Sequence, residues 1–175
     1  MNRTIRIAGF GGQGVMLFGQ IIAYAATLKN LNSTWVPTYG PETRGGTANC
    51  MVTIADGMIY SPVFSQCDDL IVFNAPSYQK FKELVKADGN IYYNSSLIDQ
   101  IEKNDHHIGV PLNELAMTLN NTKVINIVMM GRYLKDLKLF DEHEVEQALL
   151  HFFGEEKAKL IPLNLEAYRL GHAHL

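Results

Sequence analysis

The feature that most constrains this chain is a short apolar strand pattern that leads directly into four closely spaced glycines. Residues 5–8 read Ile-Arg-Ile-Ala, and a G-x-G-G-x-G segment follows: Gly9, Phe10, Gly11, Gly12, Gln13 and Gly14. Glycine tolerates positive φ and a close approach to the backbone, so the pattern predicts a strand, a tight turn and a helix start. Such a turn can direct free N–H groups and a helix N-terminus towards a phosphate. The turn is therefore the first candidate site.

The same segment also resembles part of a dinucleotide fingerprint, but one element of that fingerprint is missing. A dinucleotide-binding domain places an acid about 20 residues further on, after its second strand, to hold the ribose. Here the second predicted strand covers residues 34–38, and no acid follows it until Glu42. The missing acid disfavours NAD or FAD as the ligand of the glycine turn. A turn that only packs a helix on a sheet, a different phosphate-bearing ligand and a partner surface all stay open.

Length and composition limit the class of protein. The 175 residues predict one domain, 1–175, with 47% hydrophobic residues and a near balance of 15 basic and 18 acidic side chains. The sequence has no basic stripe, so nothing in it indicates nucleic-acid binding. Apolar runs are shorter than the roughly 18 residues of a membrane span, and the N-terminus lacks a signal-peptide pattern. We therefore expect a cytoplasmic protein with no membrane partner.

The residue types that usually carry catalysis or bind metals are scattered. Cys50 and Cys67 lack C-x-x-C spacing, which predicts buried free thiols rather than a zinc or iron–sulfur site. The six histidines have no partner at a readable spacing, and no nucleophile stands beside a base. We expect no catalytic residue and no metal site in this chain.

Strand-like and helical stretches alternate along the chain, which predicts a three-layer α/β/α, Rossmann-like domain with a mixed, mostly parallel sheet. The first helix is expected at 13–29. A strand at 48–54, an Asp-Gly turn and a returning strand at 58–60 form a predicted hairpin that makes the sheet mixed. Further strands are expected at 70–73, 89–94 and 106–111, and helices at 76–85, 112–119, 123–135, 141–152 and 165–171.

A second candidate site is the Gly/Pro-rich loop that follows the second strand. It comprises Tyr39, Gly40, Pro41, Glu42, Thr43, Arg44, Gly45 and Gly46. An arginine beside glycine N–H groups suits a phosphate or carboxylate. Alternatively, Glu42 and Arg44 pair with each other or with water in a surface turn. In an open α/β sheet this loop and the glycine turn leave the same edge, so we expect them to form one site.

A third candidate follows the predicted strand at 89–94. Asn94, Ser95 and Ser96 stand at its end, where their side chains can hydrogen-bond a ligand. The alternative is that Ser95 or Ser96 caps a helix.

Taken in order, four blocks of the sequence resemble the gamma subunit of 2-oxoacid:ferredoxin oxidoreductases. They are the glycine turn at 9–14, the loop at 39–46, Tyr93-Asn94-Ser95-Ser96, and Asn126-Ile127-Val128-Met129-Met130-Gly131. The resemblance extends to Asn164-Leu165-Glu166-Ala167-Tyr168 and so covers nearly the whole chain.

This resemblance implies a subunit of a complex that oxidatively decarboxylates a 2-oxoacid, with 2-oxoglutarate or a branched-chain acid favoured, to an acyl-CoA and CO2. Electrons pass to ferredoxin. The complex is expected to use thiamine diphosphate, Mg²⁺, iron–sulfur clusters and coenzyme A, with the cofactors on alpha, beta and delta partners and none bound by this chain alone. The isolated chain is expected to be inactive and to support assembly and coenzyme A engagement.

The resemblance also gives the residues that we expect to face a ligand or a partner. They are Gly9, Gly11, Gly12, Gln13, Gly14, Gly40, Pro41, Glu42, Arg44, Gly45, Gly46 and Asn94. Two other functions remain open at this point. One is a free-standing Rossmann-like nucleotide-binding protein, and the other is a gamma-like module of a related complex such as an indolepyruvate oxidoreductase.

Overall fold

The computed structural model describes residues 1–40, 47–102 and 104–175. Six strands lie within these residues: β1 (Asn2–Phe10), β2 (Asn32–Tyr39), β3 (Thr47–Ala55), β4 (Cys67–Val72), β5 (Val85–Asn94) and β6 (His107–Val110). The α-helices in the same residues are α1 (Val15–Leu28), α2 (Ala75–Phe81), α3 (Leu112–Thr118), α4 (Ile125–Leu137), α5 (Glu142–Phe153) and α6 (Ile161–Ala173). None of these helices is long and apolar enough to cross a bilayer.

The strands form one sheet in the order β2-β3-β1-β4-β5-β6. Strands β1, β4, β5 and β6 pair in parallel, and β3 lies antiparallel to both β1 and β2. Every strand except β3 therefore points the same way, and the predicted mixed, mostly parallel sheet is confirmed. The carboxyl ends of β1, β2, β4, β5 and β6 meet at one edge, which we call the carboxyl edge; the opposite edge is the amino edge.

The predicted hairpin at 48–60 is wrong. Residues 58–60 form no strand, and the chain only bends at Asp56 and Gly57. Both sides of β3 are already paired, one with β1 and the other with β2, so a returning strand has no open edge to join. The sheet is mixed because β3 itself runs against its two neighbours.

The two faces of the sheet are covered unequally. Alternate residues such as Ile7 and Ile71 face the main core, which also contains buried side chains of α1, α3, α4, α5 and α6. Their neighbours, such as Ala8 and Leu70, face a smaller core that includes Tyr78 and Phe81 from the region of α2. The three-layer arrangement is thus confirmed, with one thick and one thin helical layer.

Helices α4 and α6 cross at two glycines. A Cβ atom on Gly171 would overlap the carbonyl of Val128, and one on Gly131 would overlap the carbonyl of Tyr168. Only glycine permits this close approach. The sequence blocks at 126–131 and 164–168 therefore meet in space as a packing contact of the main core.

The two cysteines are buried in different parts of the fold. Both side chains are inaccessible, and neither forms a disulfide. Burial raises the pKa of Cys50 to about 12 and that of Cys67 to about 11. The prediction of buried free thiols is confirmed.

Candidate functional site

The glycine turn lies at the carboxyl edge, between the end of β1 and the start of α1. The N–H of Gln13 donates to the carbonyl of Phe10 at 3.2 Å and closes the turn. Gly12 and Gly14 have φ of 91° and 76°, which only glycine adopts at low cost. Gly14 is the N-cap residue that directly precedes α1, and no side chain of the described residues caps that helix. The first backbone N–H groups of α1 therefore have no side-chain cap among the described residues.

The four glycines have two different roles. A Cβ atom on Gly9 would meet Gln13 Oε1 at 2.7 Å and Phe73 Cβ at 3.1 Å, and one on Gly14 would collide with Asn126. These two glycines are needed for packing. Among the described residues, a Cβ atom on Gly11 or Gly12 would meet nothing within 4 Å, and both residues are exposed. Their bare backbone is the accessible part of the turn.

Gln13 holds the turn in place. Its Oε1 accepts hydrogen bonds from the N–H of Phe10 at 2.7 Å and from Asn74 Nδ2 at 3.0 Å. Asn74 in turn caps α2, where its Oδ1 accepts from the N–H of Ser77 at 2.9 Å. On the other side of the turn, Asn126 Nδ2 donates to the carbonyl of Gly14 at 3.3 Å. Neutral amides thus fix the turn from both sides.

Asn94 extends this set of amides along the edge. Its side chain is completely buried; Nδ2 donates to the carbonyl of Phe73 and to Asn113 Oδ1, and Oδ1 accepts from the N–H groups of Ser96 and Leu112. Contacts within the fold therefore occupy both of its polar atoms. Its ligand-facing role stays a prediction, and the structure gives it a packing role.

Ser96 caps a helix, although not one that directly follows it. Its hydroxyl accepts a hydrogen bond from the N–H of Asn113, in the first turn of α3, at 3.0 Å. The capping interpretation of this segment therefore holds for Ser96.

The second predicted loop starts and ends beside the glycine turn. Phe10 pairs with Thr47, Tyr39 pairs with Ala48, and the N–H of Gly40 donates to the carbonyl of Thr47 at 3.0 Å. Both ends of the loop thus lie at the carboxyl edge, next to the strand that enters the turn. The remaining predicted residues of this loop, Pro41, Glu42, Arg44, Gly45 and Gly46, lie outside the described residues.

Sequence reasoning missed two residues of this site, Asn74 and Asn126. A signal for Asn74 was available, because it directly follows the buried strand at 70–73 just as Asn94 ends the next strand. Asn126 stood in a block of the resemblance, but its contact with Gly14 spans 112 positions. A contact of that separation leaves no mark in the local pattern.

The opposite edge carries charged groups. Asp69 is completely buried and accepts from Arg3 at 2.6 and 2.7 Å, from the hydroxyl of Tyr133 at 2.7 Å and from Asn90 at 3.2 Å. The Asp69 carboxylate raises the pKa of Arg3, while burial and Asp69 raise that of Tyr133. Because each group has its partner within the chain, this network stabilises the fold and leaves no charge free for a ligand.

A metal site is not formed by the described part of the chain. Within it, no three acidic, histidine or cysteine side chains lie close enough together to hold an ion.

The geometry defines a Rossmann-like α/β domain with an open glycine turn at the carboxyl edge of its sheet. Residues 4–174 match the family described as pyruvate ferredoxin/flavodoxin oxidoreductase, and the chain belongs to that family. The resemblance stated from the four sequence blocks is confirmed.

Individual relatives agree with this membership. The chain is 36% identical over 169 residues to the ketoisovalerate oxidoreductase subunit VorA of Methanothermobacter marburgensis, covering 95% of this chain but only 35% of VorA. A gamma subunit of a keto/oxoacid ferredoxin oxidoreductase from Geobacter sulfurreducens has a TM-score of 0.80 and 27% identity, covering 97% of this chain and 95% of that one.

A further solved structure is longer than this chain. The 2-oxoglutarate:ferredoxin oxidoreductase from Magnetococcus marinus, solved with 2-oxoglutarate, coenzyme A and succinyl-CoA bound, has a TM-score of 0.86 and 25% identity. The match covers 98% of this chain and 30% of that chain. In both VorA and the Magnetococcus marinus protein, the region similar to this chain is thus about a third of a longer polypeptide.

Proposed function

We propose that this chain is the gamma-type subunit of a multi-subunit 2-oxoacid:ferredoxin oxidoreductase. The complex would oxidatively decarboxylate a 2-oxoacid to an acyl-CoA and CO2 and pass the electrons to ferredoxin. The observation that carries the proposal is the family match along residues 4–174, together with relatives that are subunits of such enzymes. The alternative of a free-standing nucleotide-binding protein is not favoured by these similarities.

The substrate we propose is 2-oxoglutarate or a branched-chain 2-oxoacid. The names of the relatives support these two classes, since VorA belongs to a ketoisovalerate oxidoreductase and the Magnetococcus marinus enzyme acts on 2-oxoglutarate.

We assign the thiamine diphosphate, Mg²⁺ and iron–sulfur clusters of the complex to partner subunits of the alpha, beta and delta types. The described residues support this assignment, because Cys50 and Cys67 are buried separately and their raised pKa values disfavour the thiolate that binds iron. Thiamine diphosphate with Mg²⁺ supplies the carbanion chemistry of decarboxylation when it is bound in the partner. The predicted cytoplasmic location stays a prediction.

Within the complex, we propose that the glycine turn engages coenzyme A or the subunit that holds it. The exposed backbone of Gly11 and Gly12 and the uncapped start of α1 fit a phosphate, since N–H groups at a helix N-terminus attract anions. The neutral amides of Gln13 and Asn126 position the turn without adding a negative charge. Arg44, in the adjacent loop, would supply a guanidinium to the same phosphate.

The first experiment reconstitutes the complex with and without this chain. Ferredoxin reduction is measured with coenzyme A and each of 2-oxoglutarate, ketoisovalerate and pyruvate. We expect activity with one of the first two acids, and we expect it to be lost when the chain is omitted. A complex that works equally well without this chain would contradict the proposal.

A pair of glycine variants tests the turn itself. Gly11→Ala adds a methyl group that meets no atom of the described residues within 4 Å, so we expect it to obstruct a group that approaches the turn. Gly57→Ala is the matched control, since its Cβ atom also meets no described atom within 4 Å and it lies on the connection after β3. We expect Gly11→Ala to raise the KM for coenzyme A about tenfold, the effect of losing about 1.4 kcal/mol of binding, and Gly57→Ala to leave it unchanged.

Arg44→Ala tests the adjacent loop by the same assay. We expect a higher KM for coenzyme A or a weaker assembly of the complex. If Arg44→Ala leaves both quantities unchanged, the loop has no part in the site.

A further inference from the structure

Strand β2 lies at one end of the sheet, and no described strand pairs with its outer side. It is eight residues long, Asn32–Tyr39, and has no charged side chain. The strand at the other end of the sheet, β6, has only four residues. Proteins usually protect an edge strand by making it short or by placing charges on it, because its unpaired backbone can bind another strand. Strand β2 has neither of these protections.

The pairing of β2 with β3 shows which backbone groups of β2 face outward. The N–H of Gly40 donates to the carbonyl of Thr47 at 3.0 Å, which continues the register of the two strands. Bonded and non-bonded pairs alternate in an antiparallel ladder. The even-numbered residues of β2 therefore bond β3, and the odd-numbered residues, among them Ser33 and Trp35, turn their N–H and carbonyl groups outward.

Pro37 limits the part of β2 that can accept a further strand. It is also an outward-facing residue, and it has no N–H to donate. A proline at this place leaves the bonds to β3 intact but interrupts the row of outward donors. The open stretch is therefore residues 32–36, where Ser33 and Trp35 offer two N–H and two carbonyl groups. A partner segment of about five residues can bond all four groups.

Two grooves flank the open stretch, one on each face of the sheet. On the face of the main core, a groove of about 310 Å³ lies beside Ser33 and Trp35 and is bounded by Phe152 of α5. On the other face, a groove of about 460 Å³ lies beside Thr34 and is bounded by Met58. Alternate side chains of a strand point to opposite faces, so a segment on the outer side of β2 directs its side chains in turn to the two grooves.

The open stretch is held in position by the rest of the fold. The hydroxyl of Ser33 donates to the carbonyl of Ala23 on α1 at 2.7 Å. Asn32 Nδ2 donates to the carbonyl of Gly57, on the connection after β3, at 2.9 Å. One bond fixes β2 to the helical layer, and the other fixes it to the connection that bounds the second groove. Such preorganisation lowers the entropy cost of binding a partner.

We infer that the outer side of β2 binds an extended, uncharged segment of a partner subunit, which joins the sheet as a further strand. The inference rests on the proposed function, which supplies the partner. Backbone bonds to Ser33 and Trp35 provide the affinity, and the two grooves select the side chains, as in other cases of strand addition. The segment is uncharged, because neither β2 nor the described residues of the grooves carry a charge that could pair with one.

The walls of the two grooves favour a single segment over a second copy of this chain. A copy that pairs through its own β2 by two-fold symmetry brings its own Phe152 and Met58 towards the same two grooves. An extended segment has no such walls and fits between them.

The first test measures hydrogen exchange at single backbone amides, in the isolated chain and in the complex with its remaining subunits. We expect the N–H groups of Ser33 and Trp35 to exchange at least tenfold more slowly in the complex. Thr34 and Val36 are the internal controls, since their N–H groups face β3 in both states. Unchanged exchange at Ser33 and Trp35 in an assembled complex overturns the inference and leaves the proposed function intact.

A pair of variants at Ser33 separates the backbone from the side chain. Ser33→Pro removes the outward N–H and spares the bonds to β3, as Pro37 does in the same strand. Ser33→Ala loses the hydroxyl bond to Ala23 but keeps the N–H. Titration against the remaining subunits, purified together without this chain, gives the dissociation constants. We expect Ser33→Pro to bind at least tenfold more weakly than Ser33→Ala, and equal binding by the two folded variants overturns the inference.

Three further outcomes are decisive. If Ser33 and Trp35 become protected in the isolated chain as its concentration rises, a second copy occupies β2 and the inference is wrong. If the unaltered chain does not bind the remaining subunits, the proposed function itself fails. If thermal unfolding shows that Ser33→Pro does not fold, the hydrogen exchange of the unaltered chain decides alone, with protection in the complex supporting the inference and its absence overturning it.

Discussion

At the carboxyl edge of the sheet the buried polar groups are neutral amides, whereas at the amino edge they are charged. Gln13 and Asn74 bond each other beside the glycine turn, and Asn94 donates to the carbonyl of Phe73 further along the same edge. At the amino edge, Asp69 is surrounded by Arg3, Tyr133 and Asn90. The same sheet thus satisfies its polar groups with two different chemistries.

This difference separates stability from ligand binding. A charged network that is closed on itself holds the strands together, because each charge has its counterpart and little is left for an external group. A turn fixed by uncharged amides does not repel an anion that approaches the N-terminus of α1. The amino edge is therefore expected to control stability, and the carboxyl edge to control binding.

The largest effect is expected from Asp69→Ala at the amino edge. Removing a fully buried carboxylate leaves the Tyr133 hydroxyl and the Arg3 guanidinium without their acceptor. We expect a loss of about 3 kcal/mol in the free energy of unfolding, the low end for buried pairs because the Arg3 side chain is 36% exposed. Urea unfolding measures this loss of stability. Asp56→Ala, which breaks an exposed pair with the N-terminal ammonium, is the control and should change little. A loss below about 1 kcal/mol for Asp69→Ala would remove the basis of the comparison.

A smaller effect is expected from Gly14→Ala at the carboxyl edge. Alanine is strained at a φ of 76°, and its Cβ atom collides with the side chain of Asn126. We expect a loss of about 2 kcal/mol in unfolding free energy. Gly11→Ala, whose Cβ atom meets no atom of the described part of the chain within 4 Å, should stay within about 0.5 kcal/mol of the unaltered protein. Equal losses would mean that the two classes of glycine in the turn are not distinct.

The next largest effect is expected from removing the Gln13 side chain. Gln13→Ala leaves the N–H of Phe10 and Asn74 Nδ2 without an acceptor, which should cost about 1–2 kcal/mol in urea unfolding. Gln13→Glu keeps an acceptor oxygen at the same place and should restore most of that stability. Because it also adds a negative charge beside the turn, it should still weaken coenzyme A binding in the complex. If Gln13→Glu binds coenzyme A normally, the turn does not face a phosphate.

Lowering the pH should destabilise the amino edge, with its charged groups, before the carboxyl edge, with its neutral amides. Helix α1 runs from the carboxyl edge to the amino edge, where Lys29 pairs with Glu144 at 3.0 Å. Backbone and side-chain hydrogen bonds from Asp141 and Lys29 overcome burial and lower the pKa of Glu144 from 4.5 to about 2. Since the pKa is lower in the folded state, this stabilisation is complete above about pH 4.5 and is lost as the pH falls towards 2.

The pKa of Asp68, which bonds Lys86 and Thr4 at the same edge, is lowered as well and shifts stability in the same direction. Urea unfolding of the unaltered chain and of Glu144→Gln between pH 6 and pH 3 measures the effect. The unaltered chain should lose more stability over this range than the variant. Parallel curves would show that Glu144 contributes nothing to the acid sensitivity.

Local patterns in the sequence were enough to predict much of this fold. The glycines at 9–14 and the apolar run at 70–73 predicted the first strand, its turn, α1 and β4, because φ preferences and short-range periodicity act within a few residues. The start of α6 was predicted four residues late, since Pro162 and its neighbours begin the helix before the apolar pattern becomes clear.

Predictions that depended on distant pairing were less reliable. The returning strand at 58–60 was wrong because β1 and β2 occupy both sides of β3, which no local pattern reveals. Asn94 has the residue type of a ligand-binding position, yet contacts with Phe73 and Asn113 bury its amide. The ion pair between Arg3 and Asp69 joins residues 66 positions apart and had no counterpart in the sequence analysis.

The sequence by itself determined the strand–turn–helix at residues 5–28, the family and the approximate order of the elements. Only the tertiary structure decided that Gly9 and Gly14 are packed while Gly11 and Gly12 are open, and that amides gather at one edge and charges at the other. The physical reason is the distance along the chain over which each kind of interaction acts. Backbone preferences are properties of neighbouring residues, whereas burial and hydrogen-bond partners depend on which strands and helices the fold brings side by side.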